Sequence, residues 1–336
     1  MDNLCHSLVG AALSEAGLKK RTALATATLV IGANLPDVDV LAYAWGPETA
    51  LGFRRGWTHG VLALAFWPFV LTGIMLAWDR LVRLRRRPGA EPASPGELLI
   101  LSVISILTHP FLDWLNTYGM RWLMPFRDVW YYGDTLFIID VWIWLALGIG
   151  WLWSRLRRTE RPARVALAAV CVYILLMGGS QLAARQTARE SLADAGANPE
   201  RLMAGPLPVT PFRRQIVAET GDVLHRGTVD WLRQPAFVPG SPAVIPENAG
   251  HPAIAAAAAT PQGAIFLHWA RFPFFLVEER PERWIVRMTD ARYTINPGTG
   301  FGALTVEVPR EEVAGRSGEK VRKYVSIGKK TRLEVE

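Results

Sequence analysis

The apolar residues of this chain are concentrated before about Arg185, in several stretches that approach or exceed about 18 to 20 residues. A helix needs about that length to cross a hydrocarbon layer ~30 Å thick, whereas the buried helices of soluble proteins are usually shorter. The pattern therefore predicts a polytopic helical membrane bundle. We expect a short apolar helix at residues 4–18 and five long spans at residues 22–36, 58–78, 98–118, 136–153 and 164–184.

The pattern changes after Ala184, where a charged, helix-prone stretch and a Pro-rich link precede a tail of mixed composition. Short runs in the tail, at residues 274–278, 284–288 and 303–308, alternate or are bounded by Pro and Gly, which predicts β-strands. Thr260 followed by Pro261 is typical of a helix start. The predicted fold class is mainly α, with a transmembrane domain at 1–184, a linker at 185–211 and an extramembrane α+β domain at 212–336.

Basic residues outnumber acidic ones by 37 to 30, and the formal net charge is +7. A basic chain can bind nucleic acid, but these arginines cluster beside the ends of the hydrophobic spans, so no nucleic acid partner is expected. By the positive-inside rule the two basic loops are cytoplasmic, and an odd number of long spans then places the tail outside the cytoplasm. Arg54 and Arg55 would lie outside, against the rule. The arginines of the two loops are Arg80, Arg83, Arg85, Arg86, Arg87, Arg155, Arg157, Arg158, Arg161 and Arg164.

Ionisable side chains within membrane spans are costly, so each needs a partner or a function. In the orientation given above, the ionisable side chains of the predicted spans all lie toward the outer face of the membrane. His109 and Asp113 are four residues apart, which makes them neighbours on one face of a helix. Imidazoles and carboxylates are the usual ligands of zinc and related divalent ions. The cluster therefore predicts a metal site, and its candidate residues are His6, Asp37, Asp39, His59, His109, Asp113, Asp134 and Asp140.

Each candidate also has a structural interpretation. Asp37 and Asp39 follow a proline and could cap or solvate a helix end. A lone histidine can simply be hydrogen-bonded in a helix or lie at the membrane interface, which is the alternative for His6 and His59. Two further carboxylates could orient a ligand histidine from behind without touching an ion. These two are Asp134 and Asp140.

Five short motifs carry a resemblance to a known family. On them the chain resembles the bacterial inner-membrane metal-dependent hydrolases of the YdjM-like family, over the membrane half up to about residue 141. The order His, Asp, His and then His-x-x-x-Asp is also similar to zinc-dependent phospholipase C and the P1-type nucleases. The motifs are the helix with His6, G-A-N-L-P-D-V-D ending at Asp39, R-G-W-T-H ending at His59, T-H-P-F-L-D ending at Asp113, and Y-G-D ending at Asp134.

The resemblance implies a multi-pass protein of the bacterial inner membrane that binds one or two divalent ions, with zinc the expected metal. The phospholipase C-like enzymes also use an N-terminal tryptophan amine, where this chain has Met1. A second ion would be shared between Asp113, as a bridge, and His6. The ligands that the resemblance implies for the first ion are Asp37 or Asp39, His59, His109 and Asp113.

The resulting hypothesis is hydrolysis of a phosphodiester or related ester in a lipid or lipid-linked substrate at the outer interface of the bilayer, with Asp39 or Asp134 as the proton acceptor. One alternative is a transporter or binding protein for metal ions or protons, since intramembrane carboxylates mark such pathways too. A transporter often contains internal repeats or paired broken helices, and the sequence contains no convincing repeat. A second alternative treats the membrane half as a scaffold for the external domain.

Overall fold

The computed structural model describes residues 1–246, 248–293 and 301–313. The chain forms two compact units, one made of Met1–Leu41 and Arg54–Gly179, the other of Ala42–Phe53 and the chain from Ser180 onward. A 3-10 segment, Leu35–Trp45, separates the second and third helices. The helices up to the first strand are α1 (Asn3–Glu15), α2 (Ala25–Gly32), α3 (Pro47–Phe53), α4 (Val61–Trp78), α5 (Leu84–Arg86), α6 (Pro95–Trp114), α7 (Val141–Arg157) and α8 (Arg161–Asp194).

The first unit is a helical bundle in which α1 is closely packed. The Asp2 carboxylate accepts hydrogen bonds from the main-chain N–H groups of Leu4 and Cys5, which satisfies donors that a helix start leaves unpaired. A Cβ atom at Gly10 would lie 2.6 Å from the Leu29 carbonyl oxygen, so a residue without a side chain lets α1 and α2 approach. Side chains of α1 pack against α6 and α7 through a shared core of Cys5, Val9, Ala12, Leu112, Leu115, Ile143 and Leu147.

Three helices in the described part of the chain are long and apolar enough to cross a membrane, and a fourth crossing results if α2 and the 3-10 segment, bent by 45°, are one span. The sequence predicts five. The predicted span at 22–36 breaks because Pro36 has no N–H to continue the α-helical bonding, and α7 has 17 residues where a crossing takes about 20. The three helices that meet this criterion are Val61–Arg86, Pro95–Trp114 and Arg161–Asp194.

Ion pairs join the helix ends that lie next to the basic loops. Lys20 lies 2.8 Å from Glu160, which precedes α8, and Arg21 pairs with Glu97 in the first turn of α6. The Arg164 guanidinium donates to the Ala16 carbonyl oxygen that follows α1. The end of α1 and the starts of α6 and α8 therefore lie together at one end of the bundle. The C-terminal end of α6 is then ~28 Å away along the helix.

The second unit contains two antiparallel sheets. The first has strand order β1–β2–β3–β4, and the second has order β5–β6–β7. Side chains alternate between the two faces of the first sheet, so Ile216 packs with Ala184 and Ala188 of α8, whereas Val217 packs with Phe274 of the second sheet. The strands are β1 (Arg201–Pro206), β2 (Arg213–Thr220), β3 (Val223–Asp230), β4 (Gln234–Pro246), β5 (Pro273–Glu279), β6 (Arg283–Asp290) and β7 (Ala303–Pro309).

Several predictions for the C-terminal region can be compared with these elements. Strands β5, β6 and β7 lie where the three β-prone runs were predicted. Thr260 caps α10 (Pro261–Trp269) by accepting from the Gly263 N–H, as predicted, after α9 (Pro252–Ala259). The linker predicted at 185–211 is instead built into the fold, since it holds the end of α8 and strand β1. The last described helix is α11 (Arg310–Val313).

Candidate metal centre

Four side chains from three parts of the first unit converge in its interior. Asp37 lies in the first turn of the 3-10 segment, and His59 precedes α4 by two residues. His109 and Asp113 lie on the last turns of α6. All four are buried, and one ligand atom from each lies within 4.8 Å of the others. These four residues could hold a metal ion.

The spacing of the four ligand atoms suits a small divalent ion. His59 Nε2 lies 3.1 Å from His109 Nε2 and 3.4 Å from Asp113 Oδ2. His109 Nε2 lies 3.6 Å from Asp113 Oδ2, and Asp37 Oδ1 lies 3.7 Å from both Nε2 atoms. A tetrahedral zinc ion with bonds of ~2.0–2.1 Å places its ligand atoms ~3.3 Å apart. The residues present therefore fit such an ion.

A hydrogen bond behind His109 orients the ring so that its other nitrogen points at this centre. Its Nδ1 lies 2.6 Å from the carbonyl oxygen of Ala33, at the end of α2. A carbonyl oxygen only accepts, so Nδ1 carries the hydrogen and, in a neutral ring, Nε2 carries the lone pair. Helix ends leave carbonyl groups without a partner in the helix, and here one of them fixes a histidine tautomer.

His59 is oriented in the same way by a hydroxyl and a carboxylate. Its Nδ1 lies 2.9 Å from Thr58 Oγ1, and the Thr58 hydroxyl donates to Asp39 Oδ2 at 3.0 Å. With the hydroxyl hydrogen directed at Asp39, Nδ1 of His59 is the donor to Thr58, and Nε2 carries the lone pair. Two imidazole lone pairs then face each other at 3.1 Å beside two carboxylate oxygens. That arrangement is electrostatically unfavourable without a cation between them.

Asp39 therefore lies behind His59 and outside the group of four. Its oxygens accept from the Arg55 main-chain N–H at 2.9 Å, from Thr58, and from Arg54 Nε at 3.3 Å. These contacts hold the carboxylate against the ring nitrogen of His59 that faces away from the centre, at 3.4 Å. The position is that of a group that orients a ligand histidine.

Asp113 joins the group of four to a second set of contacts. Its Oδ2 faces the two ligand histidines, while its Oδ1 lies 3.3 Å from His6 Nε2 and also contacts the Met1 amine. The His6 ring stacks on His109 with ring centroids 3.8 Å apart. His6 is thus adjacent to the centre, against His109, and contacts the Asp113 oxygen that does not face the two ligand histidines. The sequence resemblance assigned no role to the Met1 amine, which the structure places against the same carboxylate.

Two arginines complete the charge distribution. Sequence reasoning treated both as exceptions to the positive-inside rule and gave neither a role in the site, although Arg55 begins the R-G-W-T-H motif. Arg55 is buried, its Nε lies 3.1 Å from Asp113 Oδ2, and its guanidinium also donates to Asn116 Oδ1 at 2.9 Å. The NH2 nitrogen of Arg54 lies 3.3 Å from Asp37 Oδ1. Both arginines neutralise carboxylates of the site, and this explains their place on the side opposite the basic loops.

The remaining two candidates lie on the loop after α6 and at the start of α7. Asp134 is buried with a left-handed backbone, φ 51°, in a loop fixed to the end of α6 by the Gly133 N–H bond to the Trp114 carbonyl oxygen. Asp140 caps α7 by accepting from the N–H groups of Trp142 and Ile143. Asp140 also accepts from the Tyr173 hydroxyl, so the structure gives it a capping role in place of the predicted orienting role.

Comparison with protein families gives a match to the N-terminal half of the chain. A family model described as YdjM inner membrane protein matches residues 1–185, which include the candidate centre. The chain is also similar to the uncharacterized protein YfhP of Bacillus subtilis (strain 168), with 24% identity over 138 residues. That alignment covers 39% of this chain and 39% of the relative. No solved structure matches.

Proposed function

Because the chain belongs to the YdjM inner membrane protein family, we propose that it is a membrane-bound, metal-dependent hydrolase of phosphodiester or related ester bonds in a lipid or lipid-linked substrate. The observation that carries this proposal is the convergence of two imidazole lone pairs and two carboxylate oxygens in a buried cluster. Such a donor set has no evident structural purpose inside a helical bundle, where ionisable groups are costly.

His59, His109, Asp37 and Asp113 would hold one divalent ion. We propose zinc, because imidazoles and carboxylates are among its usual ligands and the spacing of the ligand atoms is close to that of its tetrahedral sites. When bound, a divalent ion polarises an ester or phosphoryl oxygen and makes water acidic enough to supply hydroxide near neutral pH. Asp39 and Thr58 keep His59 in the ligand tautomer, and the Ala33 carbonyl oxygen does the same for His109. Asp134 is our candidate for the proton acceptor, because the hydrogen bonds to Asp39 already occupy that carboxylate.

We place the site at the extracytoplasmic interface of the inner membrane, with the C-terminal domain on the same side. This placement follows from the basic loops at the opposite helix ends. Apolar side chains near the site favour a substrate with a hydrophobic part: Val38 and Val40 are 38% and 50% exposed on either side of Asp39, and Trp57 is 52% exposed beside Thr58. A lipid headgroup entering sideways from the bilayer would meet the site at its own depth.

Purified protein in detergent tests the proposal. The protein is stripped with a chelator, reloaded with zinc or manganese, and assayed on phospholipids, with His268→Ala as the control for a histidine outside the site. We expect turnover that is lost on chelation, restored by metal and abolished in His109→Ala. Turnover indifferent to chelation and to His109→Ala contradicts metal-dependent hydrolysis. Metal or proton flux in proteoliposomes without ester turnover would favour a transporter instead.

A further inference from the structure

We infer that Arg54 binds the anionic phosphate group of the substrate, an inference that rests on the proposed metal site. Arg54 is placed at the edge of the candidate centre. Its NH2 nitrogen lies 3.3 Å from Asp37 Oδ1, the oxygen that also faces the two ligand histidines. Its Nε lies 3.3 Å from Asp39 Oδ1. One carboxylate oxygen is therefore shared between the guanidinium and the position of the ion.

A bound ion changes the balance of charge around Arg54. The carboxylates of Asp37, Asp39 and Asp113 exceed the guanidinium groups of Arg54 and Arg55 by one negative charge, which a protonated Met1 amine would offset. A divalent ion makes the site positive in either case. Asp37 is then engaged by the ion, so its attraction for Arg54 falls. A loaded site with a net positive charge and a planar guanidinium at its edge favours a phosphate group.

Among the charged groups around the ion, Arg54 is the accessible one. Its side chain is 23% exposed, whereas that of Arg55 is 4% exposed and that of Asp113 is fully buried. The neighbouring Arg55 has a left-handed backbone, φ 53°, and its side chain is turned inward to Asp113. An anion that approaches the centre from outside therefore meets the guanidinium of Arg54 first.

The backbone of this loop is held firmly while the end of the Arg54 side chain is partly open. Arg121 donates to the Arg54 carbonyl oxygen at 2.9 Å, and its guanidinium lies over the Trp130 ring. A Cβ atom at Gly56 would lie 2.6 Å from the Arg121 guanidinium, so glycine at that position leaves room for the Arg121 side chain in its present place. A fixed backbone with a partly exposed charged end suits a residue that exchanges a carboxylate partner for a ligand.

Isothermal titration of the full-length protein tests the inference without requiring turnover. Zinc is titrated first, and the zinc-loaded protein is then titrated with inorganic phosphate and with dihexanoyl phosphatidylglycerol below its micelle concentration. The variants are Arg54→Gln and Arg54→Lys. Arg127→Gln is the matched control, because it removes one exposed positive charge from the nearby loop without touching the site carboxylates.

We expect Arg54→Gln to bind zinc as tightly as the wild type or more tightly, because a repelling charge is removed, and to bind phosphate about tenfold or more weakly. Arg54→Lys keeps the positive charge but not the planar guanidinium, so its phosphate affinity should lie between those of the wild type and Arg54→Gln. Tighter binding of the lipid than of inorganic phosphate would assign the phosphate to a lipid headgroup, and the reverse to a soluble substrate. Unchanged phosphate binding in Arg54→Gln, or equal weakening in Arg127→Gln, would overturn the inference. If phosphate binding depends on Arg54 but the protein turns over no ester, this inference stands and the proposed hydrolase function is wrong.

Discussion

Arg55 contacts both carboxylate oxygens of Asp113, with its Nε 3.1 Å from Oδ2 and its NH2 nitrogen 3.2 Å from Oδ1. This bidentate pair is buried, and it supplies a fixed positive charge at the carboxylate that the family resemblance assigns as a bridge between two ions. The Met1 amine and His6 also contact Oδ1. A second ion between Asp113 and His6 would have to compete with these groups, so we expect a single ion.

Metal content is the first prediction. Wild-type protein loaded with zinc and freed of excess metal should contain about one ion per chain, and His59→Ala or His109→Ala should contain almost none. His6→Ala should keep one ion, since His6 is not one of the four residues of the centre and contacts the other oxygen of Asp113. Elemental analysis by mass spectrometry measures the ratio. Two ions in the wild type that fall to one in His6→Ala would show that Arg55 does not replace the second ion.

The contacts behind His59 give the second prediction. Thr58→Val keeps the shape of the side chain but removes the hydroxyl that joins His59 Nδ1 to Asp39. Loss of such a supporting contact typically weakens metal affinity by about 10- to 100-fold, and we expect the zinc affinity to fall within that range. Thr72→Val is the control, because the Thr72 hydroxyl contacts Ser102 elsewhere in the bundle. Equal zinc affinities in the two variants would mean that the Thr58 hydroxyl does not orient the ligand.

Much of the candidate centre could be predicted from the sequence. Few ionisable residues lie in the predicted spans, and helix periodicity indicates which of them are neighbours. A His and an Asp four positions apart share a helix face wherever the helix lies, and ionisable groups in spans are rare enough to list. The inward direction of the Arg55 side chain could not be anticipated, since Arg55 lies in a turn with a left-handed backbone that the sequence does not mark. A charge beside a span can be a topology signal or a partner for a carboxylate, and sequence alone does not separate the two.

The first sheet of the second unit was missed for a different reason. Its strands β2 and β3 carry many polar residues, so their apolar alternation is weak, and β1 lies in a stretch assigned to a linker. One local signal was present: Gly221-Asp222 joins β2 directly to β3, and Gly221 has a positive φ of 57°. A two-residue Gly-Asp connection is typical of a β-hairpin turn. The packing of α8 on this sheet depends on contacts distant in sequence and had no local signal.

A buried ion pair in the second unit gives the third prediction. Asp290 pairs with Arg292 at 2.8 Å and accepts from the Arg271 main-chain N–H at 2.6 Å. Burial alone would raise the pKa of Asp290, but the Arg292 guanidinium and these hydrogen bonds hold the pKa below its usual value. The group therefore stabilises the fold above about pH 4, and this contribution is lost as the pH falls from there toward the lowered pKa of the folded state.

Asp290→Asn should therefore destabilise the second unit by about 3–5 kcal/mol, because Arg292 is left buried beside a neutral side chain. Urea unfolding at pH 7, followed by hydrogen exchange of the amides in β5 and β6, measures the loss. Glu307→Gln is the control, since its pair with Arg283 is exposed and it should unfold at the wild-type midpoint. A midpoint for Asp290→Asn equal to that of Glu307→Gln would mean that the buried pair contributes no more than an exposed one.

The fourth prediction concerns the side of the membrane on which the metal centre lies. The proposal of an outer-leaflet lipid substrate depends on this placement. Arg127 is exposed on the loop that follows α6 at the site end, and Arg86 is exposed at the basic end of α5. In a Cys171→Ser background the remaining native cysteine, Cys5, is buried. A membrane-impermeant maleimide applied to intact spheroplasts should label Arg127→Cys at once and Arg86→Cys only after permeabilisation, because the arginine-rich end faces the cytoplasm. Cys171→Ser alone gives the background signal. Labelling of Arg86→Cys in intact spheroplasts, with Arg127→Cys protected, would place the metal centre on the cytoplasmic face and exclude an outer-leaflet substrate.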